Sequence, residues 1–122
     1  MAQIVRGTLG EEIHVTDGKY LGMTSAFSGG DPAYIFLFVE ELVDAGLRIG
    51  LSRDMAQELV IQTILGSTLT VERTGKHPAN LSNMVTSPGG TTTGALLHLE
   101  KGRFSSLVLE AVAAAYEKAE RF

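Results

Sequence analysis

Cysteine and tryptophan are both missing from this 122-residue chain, and proline occurs only three times. Without cysteine there is no disulfide framework and no thiolate metal centre, and a reducing compartment is suited. Lysine and arginine form no block, and ten of them stand against fourteen acidic residues for a net charge of -4. The electrostatic footprint of a nucleic-acid or anionic-membrane partner is therefore lacking. No apolar run approaches the ~20 residues of a membrane span, and Arg6, Glu11 and Glu12 occupy the region where an export signal would be apolar. These absences lead to the expectation of a soluble cytoplasmic protein with neither nucleic acid nor membrane as partner. Metal chemistry is not expected either. His14 lies on the polar side of a short alternation, with no second histidine or paired carboxylate at ligand spacing nearby. His77 and His98 read as a turn residue and a solvated or hydrogen-bonded side chain.

What the chain does have is glycine, fourteen of them, set between apolar stretches of helical period. At this length the chain is read as one domain, residues 1–122, able to bury between about 60% and 70% of its unfolded surface. Residues 2–10 suggest a short helix ending at Gly10, and Glu12-Ile13-His14-Val15 alternates as a strand would. Thr16-Asp17-Gly18 then breaks the pattern and could cap a helix. A moderate helical pattern through Tyr20, Leu21, Met23 and Phe27 is expected to stop at Ser28-Gly29-Gly30-Asp31. Asp31-Pro32 is expected to restart it, with a capping side chain followed by proline at the first helical position. From Ala33 to Val39 every residue is apolar, so that helix must be surrounded, either by its own chain or by a partner.

Ser52 is the expected N-cap of the next helix, whose apolar stripe runs from Met55 to Val71 with Gly66 and Ser67 as small contact points. Thr74-Gly75-Lys76-His77-Pro78 closes it. Pro78 to Met84 reads as a helical turn with Leu81 and Met84 inward. Ala95 to Lys101 reads as a brief helix stopped by Gly102, and a last alanine-rich helix begins at Ser105 or Ser106. The class is all-α, with at most one short strand.

The most informative stretch is Val85-Thr-Ser-Pro-Gly-Gly-Thr-Thr-Thr-Gly-Ala95, where a tight loop runs directly into a helix start. A first helical turn carries unpaired N–H donors and a positive dipole end, and glycine lets a ligand approach the backbone. Ser87, Thr91 and Thr92 add hydroxyls at the same place. In isolation such a pattern is an ordinary helix cap with serine or threonine at its start. Taken at length, Thr-Ser-Pro-Gly-Gly-Thr-Thr with Ala95-Leu96 and Leu99-Glu100 resembles the signature of the pyrroline-5-carboxylate reductases. The resemblance extends from about Leu9 to the C-terminus. It includes Pro32-Ala33-Tyr34, Asp44-Ala45-Gly46 with Gly50-Leu51, Ala56, Gln62-Thr63 with Leu65-Gly66, His77-Pro78, and Phe104 with Ala111-Val112.

All of these positions fall in that family's C-terminal domain. The resemblance implies a helical bundle like the C-terminal domain of 6-phosphogluconate dehydrogenase, interlaced as a homodimer or a higher oligomer built from it. It also implies that Ser87, Gly89, Gly90, Thr91 and Thr92 grip the carboxylate of pyrroline-5-carboxylate or proline. Thr92 is then the hydroxyl nearest the imine nitrogen and the catalytic candidate. The family's NADPH or NADH belongs to a dinucleotide-binding N-terminal half with no counterpart in this sequence, so no cofactor site is expected in the chain and activity alone is not. One departure stands out. Where the family reads Ser-Gly-Ser-Gly before Pro32, this chain has Ser28-Gly29-Gly30-Asp31, a carboxylate that would disfavour an anionic substrate near the pocket and be harmless as a helix cap. Two readings stay open: the dimerisation and substrate-binding domain of a proline-forming reductase, or a stand-alone, non-catalytic dimeric scaffold or small-carboxylate binder.

Overall fold

The computed structural model describes residues 3–6, 12–15 and 18–120, with side chains from Tyr20 to Glu120. Two strands, β1 (Gln3–Arg6) and β2 (Glu12–Val15), precede five helices: α1 (Gly18–Arg48), α2 (Arg53–Thr74), α3 (Pro78–Met84), α4 (Thr91–Lys101) and α5 (Phe104–Glu120). The all-α expectation holds. None of the described helices is long and apolar enough to cross a membrane.

The expected strand is present at Glu12–Val15, but it is not alone. It pairs antiparallel with β1, Ile4 opposite His14 and Val5 opposite Ile13, in the stretch where a short helix was expected. Adjacent β-branched Ile4 and Val5 suit a strand, and a lone strand would leave its backbone donors and acceptors without partners. Two short strands therefore replace the one anticipated. The proposed cap at Thr16 and Asp17, the side chain of His14 and the remainder of the expected helix, Ala2 and Gly7 to Gly10, lie outside the described residues.

A second correction concerns α1. It runs without a break through Ser28-Gly29-Gly30-Asp31 and carries Pro32 in its interior, so Asp31 does not cap a helix. Proline there removes the N–H that would bond the Ser28 carbonyl, a defect worth about 3 kcal/mol in an isolated helix. Local features accommodate it. Gly30 has no β-carbon, and the Tyr34 hydroxyl lies 3.0 Å from where one would stand, so the tyrosine lies back along the preceding turn. Thr24 and Ser28 turn their hydroxyls inward, donating to the carbonyls of Tyr20 and Thr24 at 2.6 and 2.8 Å.

The chain divides into two units, Met1–Leu37 with Ser105–Phe122, and Phe38–Phe104. In the first, Met23, Thr24, Ala26 and Phe27 of α1 and Val112 and Tyr116 of α5 line one largely apolar groove. In the second, α1 ends in a glycine-terminated turn: Gly50, at φ +110°, donates to the Leu47 carbonyl, and Leu51 donates to that of Gly46. Ser52 then caps α2, its Oγ accepting from the Met55 N–H at 3.2 Å, and Gly75 at φ +65° closes that helix, both as the sequence indicated. His77 sits in the turn and acts structurally, its Nδ1 accepting from the Ala79 N–H at 3.1 Å. Leu81 is half-buried, whereas Met84 is exposed rather than inward. The last helix begins at Phe104, whose ring lies 6.1 Å from that of Phe38.

Little of this is core. Among the described residues only Val43 and Ala56 are buried. On α2, Ala56, Val60 and Ile64 follow one another at four-residue spacing and are buried or half-buried, whereas Met55, Leu59 and Leu69, on another side of the helix, stay exposed. The all-apolar part of α1 is likewise uncovered within the chain: Ile35 is 50% exposed and Phe36 66%.

Candidate functional site

The loop between α3 and α4 is built by its own residue types. Pro88 presets the first central position of a turn, Gly89 supplies φ +73° at the second, and the Gly90 N–H donates to the Ser87 carbonyl at 2.9 Å. That is the pattern of a type II turn over Ser87-Pro88-Gly89-Gly90. Gly90 is the N-cap of α4, with extended backbone and no side chain capping the helix. The ordinary capped-helix alternative, with serine or threonine in that position, is therefore not what forms.

The consequence is an open helix end. The first intrahelical bond runs from the Gly94 N–H to the Gly90 carbonyl at 3.3 Å, so the N–H groups of Thr91, Thr92 and Thr93 precede any possible intrahelical acceptor. No acidic residue stands in the first turn, while His98 and Lys101 occupy the last. The first turn thus supplies no negative charge to the positive end of the α4 dipole. A small anion is what such an end can hold.

All five residues singled out in the sequence lie on this loop and first turn. Ser87 and Gly89 are exposed, Gly90 is half-buried, and Thr91 and Thr92 are the first two residues of α4 and exposed. One detail differs from expectation. The N–H of Gly90 is used within the turn, so the backbone donors are those that follow it. Gly90 must also lack a side chain for a steric reason, since a β-carbon there would lie 2.7 Å from the Ser87 Oγ and 3.1 Å from the Ser87 carbonyl oxygen. Thr93 was not anticipated. Its Oγ1 donates to the Ser87 carbonyl at 2.8 Å, and the only sequence signal was a third threonine placed to reach back over the turn. Elsewhere, Glu40, Glu41 and Asp44 bring three exposed carboxylates together on α1, with Asp44 3.9 Å from Arg53; they form a solvated helix face.

Residues 19–122 match the family model described as pyrroline-5-carboxylate reductase dimerisation. The chain belongs to that family. It is 46% identical over 102 residues to a pyrroline-5-carboxylate reductase of Arabidopsis thaliana, covering 84% of this chain and 37% of the relative. With the Synechocystis pyrroline-5-carboxylate reductase it shares 40% identity over 119 residues, 98% of this chain and 44% of that one. Among solved structures, the Plasmodium falciparum pyrroline carboxylate reductase with NADP bound superposes with a TM-score of 0.83 at 42% identity, over 87% of this chain and 43% of that chain. The Streptococcus pyogenes 1-pyrroline-5-carboxylate reductase gives 0.85 at 32% identity, over 88% and 42%. The chain thus spans less than half the length of these family members.

Proposed function

We propose that this chain is the dimerisation and substrate-binding domain of a pyrroline-5-carboxylate reductase, and that the loop before α4 holds the substrate carboxylate. The observation that carries the reading is the uncapped start of α4, with no acidic residue in its first turn and a glycine turn in front of it. The carboxylate is received by the N–H groups of Thr91 and Thr92, with Ser87, Gly89 and Gly90 as the wall of the cradle. The Thr92 hydroxyl faces the imine nitrogen and orients it, which makes it the catalytic candidate of this chain. The family match over residues 19–122, which includes this loop, supports the reading.

A dinucleotide does not fit the described residues. Their two strands are antiparallel, and no strand, helix and parallel strand succeed one another to form a phosphate-binding turn. The part proposed for the described residues is binding and orientation, and hydride donation by NADPH or NADH is assigned to none of them. Two copies form the working unit, since the apolar side chains of α1 and α2 left uncovered in one copy need a second to remove them from water. The purified chain is accordingly expected to show no turnover of pyrroline-5-carboxylate with either nicotinamide cofactor.

Titration with L-proline followed by NMR tests the site. Weak, saturable shifts are expected at the amides of Thr91 and Thr92. Shifts confined to residues away from the loop would place the ligand elsewhere and end the reading.

A further inference from the structure

The run Thr91-Thr92-Thr93 is chemically uniform, yet the structure sorts its members. Thr93 Oγ1 donates to the Ser87 carbonyl at 2.8 Å, and the Gly90 N–H donates to the same oxygen at 2.9 Å. One carbonyl thus takes a donor from the loop and a donor from the first turn of α4, and so joins the two. The Ser87 hydroxyl lies against Gly90, 2.7 Å from where a β-carbon would stand. Thr91 and Thr92 point elsewhere, each residue turned roughly 100° from the next around the helix.

We infer that Thr93 is a positioning residue: it fixes the Ser87 loop against the start of α4, so that the Ser87 hydroxyl and the Thr91 and Thr92 N–H groups are arranged before a ligand arrives. The inference rests on the carboxylate reading above. A preset cradle does not have to order itself at binding, and that saving appears as affinity.

The test compares the full chain with Thr93→Val, which keeps the shape and removes the donor, and Thr93→Ser, which restores it. Two measurements are read: hydrogen exchange of the Gly90 amide without ligand, and L-proline affinity by NMR titration. Thr93→Val should speed exchange at Gly90 and weaken proline binding roughly five-fold, the factor one ordinary hydrogen bond contributes. Thr93→Ser should recover both. Circular dichroism and sedimentation should match the unsubstituted chain; a Val variant that loses its helices is replaced by Thr93→Ala. If proline binds the Val variant as well as the unsubstituted chain, this inference fails alone. If proline does not bind the unsubstituted chain at all, the carboxylate reading fails and the inference falls with it.

Discussion

A β-carbon on Gly46 would lie 2.9 Å from the Ala56 Cβ, with the Leu51 Cδ1 3.5 Å away. The end of α1 and the start of α2 therefore meet almost backbone to backbone, beside Ala56, one of the two buried residues among those described. Gly46→Ala sets two effects against each other. Helix propensity favours alanine by about 1 kcal/mol, while forcing a methyl into a filled corner costs about 1–3 kcal/mol. Steric cost should win, because Ala56 offers no flexible side chain to move aside. A fall in the thermal midpoint is expected, and a rise would mean that the corner opens easily.

Assembly follows from the exposed side chains. A homodimer burying more than about 2,000 Å², the size of obligate interfaces, is expected at micromolar concentration. Leu59→Glu puts a charge on the uncovered apolar side of α2 and should shift sedimentation towards the single chain. Glu58→Ala, a neighbouring polar position, should leave it unchanged. An unsubstituted chain that sediments as a stable monomer would contradict the assignment.

Asp31 gives a pH dependence opposite to that of most carboxylates. Desolvation by burial raises its pKa above the ordinary 3.8, so the folded chain holds this proton more tightly than the unfolded chain does. The stabilising effect is complete below the ordinary value and is lost as pH rises through the raised one. Asp31→Asn should show a stability advantage that opens just above pH 4 and then levels off. Urea midpoints of both proteins at pH 4, 5, 6 and 7 measure it, and a difference constant across that range would refute the cause given.

Features fixed by neighbours in sequence were legible before the structure. Ser52 and Gly75 mark the ends of α2 because capping depends on residues within one turn, and Pro88-Gly89 announces its turn for the same reason. The break expected at Ser28 to Asp31 failed because two glycines and a proline speak for a stop only when nothing else occupies their space. Here the Tyr34 ring uses the gap over Gly30, and the helix passes through. β1 was missed since a strand's partner, not its own four residues, decides whether it forms. At the loop, residue types showed where an anion would sit, but hydrogen bonds decided which groups remain available. Gly90 loses its N–H to the turn, and Thr93 spends its hydroxyl on the Ser87 carbonyl.

That only Val43 and Ala56 are buried among the described residues also bears on how such a chain comes to be folded at all. Two buried residues set little apolar area against the conformational entropy lost on ordering about a hundred residues. If a second copy is what covers the apolar helices, folding becomes a reaction of two molecules, second order in chain, with an unfolding midpoint that climbs as concentration rises. In a cell, a chain made sparsely would wait for its mate with its apolar helices uncovered, open to proteases for as long as the encounter takes. Copy number would set its lifetime.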